Sequence, residues 1–331
     1  MNLGGFGISE LCQALRKQPE LDLKRDIQLV ARSLPALQTS HWFPETGPIL
    51  NGDDTAALRM GDEYILFAAE GMRPEFVEAD PWFAGFCSVL VNVNDVAAMG
   101  GRPWAVTDVL FLGQSDNEAI LAGMRYASQL LGVPIVGGHT TRVASGSALT
   151  AAVLGRARRL ISSHHAVPGQ RILVLYDLRG EFRNATRNFD AASRASAETL
   201  RSNLAVLPSL AEAEWVRAGK DISMAGVVGS LSMLCETSRV GAVLELSRIP
   251  APGAIEPLRW LTAFPSFGFV LAAAPDCAAQ VVEHCVRLGL ACADVGVITE
   301  RRELLLSDGT HTALYADMAS EPLTGFGAES V

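Results

Sequence analysis

Clusters of basic residues are missing from this sequence. Its 331 residues include 27 lysines and arginines against 36 aspartates and glutamates, which gives a formal net charge of −9 and an isoelectric point near 5.2. Because the phosphate backbone of a nucleic acid is bound by stripes of Lys and Arg, this balance excludes nucleic acid as a main partner. It does not exclude nucleotides, whose phosphates can be held by backbone N–H groups and by metal ions on carboxylates.

Long apolar runs and paired cysteines are missing as well. No apolar run reaches the roughly 20 residues that span a membrane, and residues 1–20 lack the pattern of a signal peptide, so no membrane partner is expected. The six cysteines form no C-x-x-C pair, and Cys87 and Cys235 lie within apolar helical patterns. We therefore expect neither a disulfide framework nor a zinc site, and we predict a cytoplasmic protein.

What the sequence does contain is enough apolar residues for two packed cores. It is 49% hydrophobic and 19% charged, and its length favours two domains. Strands alternate with helices in both halves, which predicts an α+β or α/β fold. We predict a glycine-rich loop and helix in residues 1–40, a first domain in residues 41–158 and a second domain in residues 165–331.

The periodicity of apolar residues predicts the main elements. Strands are expected at Tyr64–Ala69, Trp104–Leu112, Ala148–Leu154, Arg171–Tyr176, Ala242–Leu246, Phe267–Ala272 and Val295–Thr299. Helices are expected at Glu10–Leu37 and at Leu204–Ala218, and another is expected to start after Ser223. A further helix is expected to begin with a capping box at Ser115–Glu118 and to end near Gly132. Residues 180–202 are polar and predict a long connection.

The helix between Asp80 and Gly101 is the best defined element. Asp80 is a natural N-cap, Pro81 fits the first helical position, and Gly100 and Gly101 end the helix. A buried stripe is predicted for the apolar residues at three- and four-residue spacing: Phe86, Val89, Leu90, Val93 and Val96.

The opposite face of this helix carries Ser88, Asn92 and Asp95. A solvated face is the ordinary interpretation of such a polar stripe. A solvated face normally also carries Lys or Arg, and the sequence has neither between residues 80 and 101. This favours the alternative that the polar face lies towards a bound cation or phosphate.

Acidic residues stand at the ends of several predicted elements: Asp53, Asp54, Glu70, Asp95 and Asp221. Each alone is more typical of a cap or a turn. Brought together they would repel each other, since two carboxylates about 4 Å apart cost roughly 4 kcal/mol at the effective dielectric near a protein surface. A cation is therefore expected among them, and Mg²⁺ prefers such oxygen ligands together with phosphate oxygens. Asn92 would add a neutral oxygen ligand.

A second candidate segment contains Gly137, Gly138, His139 and Thr140. Paired glycines let a backbone approach a ligand closely, and Thr140 offers a hydroxyl group. The ordinary alternatives are a tight turn for the glycines and a hydrogen-bonded core residue for His139. His164 and His165 have no acidic or cysteine companion nearby in the sequence and are not expected to bind a metal.

These residues lie in motifs that resemble those of the AIR synthase-like (PurM-like) ATP-binding superfamily. NGDDTAAL at Asn51–Leu58 resembles the phosphate- and Mg-binding turn of that superfamily. FAAEGM at Phe67–Met72 resembles a strand-end motif, although Glu70 stands where the superfamily usually has Asp. VNVNDVAAMGGRP at Val91–Pro103 is similar to the signature of the central helix.

Two further motifs follow in the superfamily's order. VGGHT at Val136–Thr140 and KDISMAGVVGSL at Lys220–Leu231 are similar to segments of selenophosphate synthetases, and the second is also similar to the DISDGL segment of thiamine-monophosphate kinases. PSFGFVL at Pro265–Leu271 resembles a late substrate loop. The resemblance extends from about residue 50 to residue 300.

The resemblance implies a two-domain fold with an N-terminal sheet domain that dimerises and a C-terminal α+β lobe. It also implies an enzyme that uses ATP and Mg²⁺ to phosphorylate or phosphate-activate a small-molecule substrate. The Mg²⁺ ligands it implies are Asp53, Asp54, Glu70, Asp95 and Asp221. The ATP-binding residues it implies are Asp53, Asp54, Asn92, Asp95, Gly137, Gly138, Thr140 and Lys220. The catalytic residues it implies are His139 and Asp221.

Departures from the motifs narrow the choice of relative. Selenophosphate synthetases have a reactive Cys or selenocysteine and a Lys in an N-terminal glycine-rich loop, whereas LGGFGIS here has neither. Cys12 lies in an apolar helical pattern and is expected to be a buried, unreactive thiol. Met224 replaces the second Asp of the kinases. We therefore favour an AIR synthase-related enzyme; the alternatives are a non-catalytic nucleotide-binding scaffold and, less favoured, a selenophosphate synthetase or thiamine-monophosphate kinase.

Overall fold

The computed structural model describes the chain except for residues 2, 4, 6, 34–38, 115, 185 and 327–331. The N-cap predicted at Ser115 and the helix end predicted at Leu37 lie outside the described residues. The structure starts the helix after residue 115 at Asn117, with the Asp116 carboxylate accepting a hydrogen bond from Ala119 N.

The first half of the chain forms a five-stranded sheet with helices on one face. Short helices precede it: α1 (Ile8–Arg16), α2 (Pro19–Arg25), α3 (Ile27–Ser33) and a 3₁₀ turn at Pro44–Thr46. The domain then runs β1 (Ala56–Met60), β2 (Glu63–Met72), α4 (Pro74–Ala79), α5 (Pro81–Ala98), β3 (Arg102–Leu112), α6 (Asn117–Leu131), β4 (Ile135–Arg142) and β5 (Ala148–Ala157). The strand order is β1-β2-β5-β3-β4, and only β3 and β4 are parallel neighbours.

The second half contains a seven-stranded mixed sheet and a small three-stranded sheet. Its strands are β6 (Arg171–Tyr176), β7 (Glu181–Phe182), β8 (Asn188–Asp190), β9 (Val216–Asp221), β10 (Gly241–Glu245), β11 (Phe264–Pro265), β12 (Gly268–Ala273), β13 (Ala291–Thr299), β14 (Glu303–Ser307) and β15 (Thr312–Asp317). Its helices are α7 (Ala197–Glu212), α8 (Gly226–Ser238), α9 (Pro257–Leu261), α10 (Pro275–Arg287) and a 3₁₀ turn at Leu246–Arg248. The large sheet has the order β15-β14-β10-β13-β6-β12-β9, and β11-β8-β7 forms the small one. The predicted α+β class is confirmed.

The prediction for the central helix α5 is confirmed, including its cap. The Asp80 carboxylate accepts a hydrogen bond from Phe83 N at 3.1 Å, and Gly100 leaves the helix at φ +73°. The predicted apolar stripe is buried, but Ser88 and Asn92 are also fully buried. The solvated-face interpretation is therefore wrong, because α5 is enclosed by the sheet and by α6 and α7.

Three predictions of local structure are wrong. The single helix predicted for Glu10–Leu37 is divided into α1, α2 and α3, because Pro19 starts a new helix. The helix predicted for Leu204–Ala218 ends at Glu212, because the residues from Val216 pair with β12. The polar segment 180–202 contains β7, β8 and the start of α7 rather than one long connection.

The GGHT segment also differs from the expected loop. It lies within β4, and Gly138 faces the paired strand so closely that a Cβ atom there would lie 2.3 Å from Asp108 O. The glycine is therefore explained by strand packing.

In the part of the chain that the structure describes, no helix is long and apolar enough to cross a membrane. The six cysteines are free thiols, as predicted.

Candidate functional site

A cavity of about 700 Å³ lies between the two halves of the chain. Six of the residues predicted from the sequence line it, from four separate elements or turns: Asp53, Asp54, Glu70, Asp95, Lys220 and Asp221. A second cavity of about 450 Å³, at Arg102, Trp104 and Arg156, contains none of the predicted residues. The first cavity is therefore the candidate site.

Asp53 is held in place by the segment that follows β5. The Ser162 hydroxyl group donates to one Asp53 carboxylate oxygen at 2.5 Å, and Ser163 N donates to the other at 2.9 Å. These two serines were not predicted, because they lie 109 and 110 residues away in the sequence. The bonds fix the carboxylate at the cavity wall.

Asp54 forms a buried ion pair with Lys220. The side chains of Asp54 and Lys220 are 3% and 11% exposed, and Asp221 N donates to the second Asp54 oxygen at 3.1 Å. Burial lowers the pKa of the Lys220 ammonium group, but attraction from Asp54 and Asp221 outweighs it, so the net pKa is raised. Lys220 therefore stays protonated and holds the Asp54 turn against β9.

Asp95 is a buried carboxylate at the cavity with an oxygen that lacks a partner among the described residues. It is 6% exposed, and its Oδ2 atom has no hydrogen-bond partner among the described residues. Burial first, and then repulsion from Asp221 and Glu70, raises the pKa of Asp95 well above its ordinary value. Glu70 lines the cavity, and burial raises its pKa; attraction from Lys24 opposes this, and repulsion from Asp221 adds to it.

This arrangement fits a divalent cation that arrives with phosphate. No three His, Cys, Asp or Glu side chains in the described part of the chain already form a metal site. However, repulsion from Asp221 raises the pKa of both Asp95 and Glu70, and Asp95 presents a buried oxygen without a partner among the described residues. A cation would relieve this repulsion, and oxygen ligands of this kind suit Mg²⁺.

Five predicted residues do not line the cavity. Asn92 is fully buried behind the wall, and its amide nitrogen donates to Ser88 O at 2.8 Å. Gly137, Gly138, His139 and Thr140 lie on the edge strand β4, exposed to solvent and away from the acidic residues. Among the described side chains, the hydrogen-bond partner of the His139 imidazole is the Thr141 hydroxyl group, at 2.9 Å.

The structure adds residues that the sequence reasoning missed. Lys24 and Glu20 of α2 line the cavity, as do Arg187, Asn188 and Phe326. Lys24 brings a positively charged side chain to the cavity from a helix, whereas the N-terminal glycine-rich segment contains no lysine. No local pattern marks this position, because charged residues are common on every exposed helix face.

The expected burial of Cys12 is confirmed, and its low reactivity stays a prediction. Cys12 is buried with Ile8, Leu11 and Leu15, and its thiol donates to Leu314 O at 3.2 Å. Burial raises the pKa of the Cys12 thiol, with a smaller opposing effect from Arg16. It does not line the cavity.

Comparisons with known proteins agree with these observations. The family model described as "AIR synthase related protein, N-terminal domain" matches residues 52–157. The family model described as "AIR synthase related protein, C-terminal domain" matches residues 168–308. An uncharacterized protein of Synechocystis sp. is 43% identical over 310 residues, which cover 93% of this chain and 95% of the relative.

Solved structures share the fold. T. maritima PurL complexed with ATP superposes with a TM-score of 0.71 at 19% identity, over 98% of this chain and 55% of that chain. This chain thus spans about half the length of that protein. AaThiL complexed with AMPPCP and TMP has a TM-score of 0.64 at 16% identity, over 88% of this chain and 96% of that chain. The chain belongs to the AIR synthase-related (PurM-like) family and has the two-domain fold of that family.

Proposed function

We propose that this protein is an Mg²⁺-dependent enzyme that uses ATP to phosphorylate or phosphate-activate a small molecule. The observation that carries this proposal is the meeting of Asp53, Asp54, Glu70, Asp95 and Asp221 with Lys220 at one cavity. Relatives of the same fold have been solved with ATP and with AMPPCP. Phosphoryl transfer is largely positioning and charge neutralisation, so this equipment is sufficient for it.

The charged residues at the cavity have different proposed roles. Asp95, Asp221 and Glu70 would hold Mg²⁺, with Asp53 fixed beside them by Ser162 and Ser163. When bound, the ion supplies charge neutralisation on the phosphate oxygens. Lys220 holds Asp54, which also accepts a hydrogen bond from Asp221 N, and Lys24 adds positive charge at the cavity. Asp221 is the residue we assign to contact the reacting phosphate group.

The chemistry after phosphoryl transfer defines two versions of the proposal. A kinase would release a phosphorylated product, whereas a cyclase or dehydratase would phosphorylate an amide or carbonyl oxygen and then expel phosphate. A screen of small amides and of purine and thiamine precursors for ATP-dependent phosphate release distinguishes them. Phosphate release from one amide identifies the second version, and a stable phosphorylated product identifies the first.

A non-catalytic nucleotide-binding scaffold is the second candidate. Met224 lines the cavity where the related kinases carry an acidic residue, which favours it. ATP turnover that rises with one small-molecule substrate supports the enzyme. Nucleotide binding without turnover, against the whole screen, supports the scaffold.

Selenide chemistry is expected to be absent. The buried Cys12 thiol has a raised pKa and lies outside the cavity, so it cannot deliver a thiolate to a phosphate group. We predict no selenide-dependent phosphate release by the wild type, and unchanged ATP affinity in Cys12→Ser. A selenophosphate signal in ³¹P NMR that disappears in Cys12→Ser would contradict this prediction.

We further propose that the protein is a homodimer joined through the five-stranded sheets. One face of this sheet packs on α5, while the other exposes large apolar side chains such as Phe67, Val109 and Phe111, which are 52%, 37% and 40% exposed. Phe67 and Leu154 are register partners on that exposed face. A second copy would cover it and would also lie beside β4, so His139 and the neighbouring glycines would join a site only in the dimer.

The dimer prediction has a direct test. Wild-type protein is expected to show twice the 35.2 kDa chain mass by light scattering at micromolar concentration. Phe67→Glu should shift the mass to one chain, because it places a charge in the apolar face. Leu121→Glu, at an exposed apolar residue of α6, is the matched control and should keep the dimer. A wild-type monomer at these concentrations would contradict the prediction.

A further inference from the structure

Two segments from opposite ends of the chain pack together along one side of the cavity. The Gln28 side-chain amide donates to Pro322 O at 2.6 Å and to Leu323 O at 3.1 Å. Residues 18–28 and 322–326 together are called the terminal clasp below. Four of its residues line the cavity together with the acidic residues: Glu20, Lys24, Thr324 and Phe326.

The terminal clasp lies outside both matched family domains. Those domains cover residues 52–157 and 168–308, so neither half of the clasp belongs to them. The N-terminal half is tied to the second domain, because Arg187 donates to Glu20 and, at 2.6 Å, to Gln18. Any ligand contact that the clasp makes is therefore an addition to the shared domains.

A fully buried carboxylate, Glu236 of α8, anchors the C-terminal half. Its oxygens accept hydrogen bonds from Leu323 N at 2.8 Å, from Thr324 N at 3.0 Å and from Gly325 N at 2.6 Å. The Thr324 hydroxyl group donates to it at 3.1 Å. Hydrogen bonds to an ionised acceptor are the stronger kind, so this anchor fixes the backbone just before Phe326.

Phe326 is placed directly on the turn that carries Asp53 and Asp54. A Cβ atom at Gly52 would lie 2.6 Å from Phe326 Cγ, and Gly52 has φ +103°, so only glycine fits beneath the ring. The ring also lines the cavity. Phe326 therefore lies next to the Asp53–Asp54 turn at the cavity.

We infer that the terminal clasp is a wall of the nucleotide site, in which Phe326 contacts the bound nucleotide and Glu236 is a positioning residue that holds Phe326. This inference rests on the proposed function, because its ligand is Mg²⁺ with a nucleoside triphosphate. The acidic residues of the site lie within the two family domains. The terminal clasp lies outside these domains and adds further contacts to the bound nucleotide.

The test is calorimetric titration with AMPPCP and Mg²⁺. Phe326→Ala and Glu236→Gln are each expected to weaken binding about tenfold. The double variant should be no weaker than either single one, because Glu236 acts through Phe326 and the effects of coupled residues do not add. Glu283→Gln, at an exposed glutamate of α10, is the control and should bind as wild type.

Thr324→Val is the milder variant for the case in which Glu236→Gln does not fold. It removes only the hydroxyl bonds to Glu236 and Phe326 N, and we expect about threefold weaker binding. Wild-type affinity in Phe326→Ala would overturn the inference while leaving the proposed function intact. Additive effects in the double variant would overturn the positioning role of Glu236. Absence of binding by the wild type would overturn the proposed function and this inference with it.

Discussion

Asp95→Ala is expected to weaken the binding of Mg²⁺ and ATP at least tenfold, or about 1.4 kcal/mol. Asp95 contributes a buried oxygen without a described partner, and neighbouring carboxylates repel it. The substitution therefore removes a proposed Mg²⁺ ligand and also removes that repulsion. Thermal unfolding of the ligand-free variant should occur at the wild-type temperature or above it, while the stabilisation by Mg²⁺ and ATP is lost.

Asp53→Ala should weaken binding to a similar degree but with a different effect on stability. The Asp53 carboxylate accepts hydrogen bonds from Ser162 and Ser163 N, and its loss leaves both donors without that partner. The ligand-free variant should therefore unfold at a lower temperature than wild type. Asp62→Ala, in the exposed turn between β1 and β2, is the control for both. Wild-type affinity in Asp95→Ala would contradict the assignment.

Lys220→Met is expected to lower the free energy of unfolding by about 3 kcal/mol, because it leaves the buried Asp54 carboxylate without its cation. Adding Asp54→Asn should restore much of this loss, since the asparagine oxygen can still accept the bond from Asp221 N. Urea denaturation measures both variants.

The loss in Lys220→Met should grow with pH. Burial, with repulsion from Asp221 and Asp53, raises the pKa of Asp54 to about 7 even beside Lys220, and removal of Lys220 raises it further. A group with a raised folded-state pKa contributes stability that is present below its unfolded value, near 3.8, and lost as pH rises through the folded value. The deficit should thus be larger at pH 8 than at pH 6. An equal deficit at both values would contradict the buried-pair account.

The acidic residues were predictable because each lies in or next to an element with a strong local pattern. Asp95 shares α5 with an apolar stripe bounded by Asp80 and Gly100, and Glu70 and Asp221 stand near the ends of apolar strands. The periodicity of the apolar residues predicts where each element ends and therefore which acidic residues stand near an end. The order of the motifs along the chain then resembles the order in one family.

The role of the GGHT segment was not predictable from local pattern. Paired glycines favour a turn in isolation, but β4 pairs in parallel with β3, and Asp108 requires a glycine at position 138. In the same way Val216–Ala218 continues a helical pattern in sequence, yet pairing with β12 makes it a strand. Tertiary pairing overrides propensity in both cases.

The terminal clasp leaves no trace in local sequence. Its Gln28 contacts lie 294 and 295 residues away, and the Glu236 anchor reaches 87 to 89 residues along the chain. Glu236 is the one charged residue in the sequence of α8, where a lone glutamate predicts only an exposed position.

The central claim is that this cavity binds a nucleotide through a cation. Calorimetric titration of the wild-type protein with AMPPCP, once with Mg²⁺ and once with EDTA, tests it most directly. We predict saturable binding with Mg²⁺ and at least a tenfold loss of affinity with EDTA, because the carboxylates at the cavity repel phosphate when no cation lies between them. Equal affinity in both titrations, or no binding in either, would contradict the account.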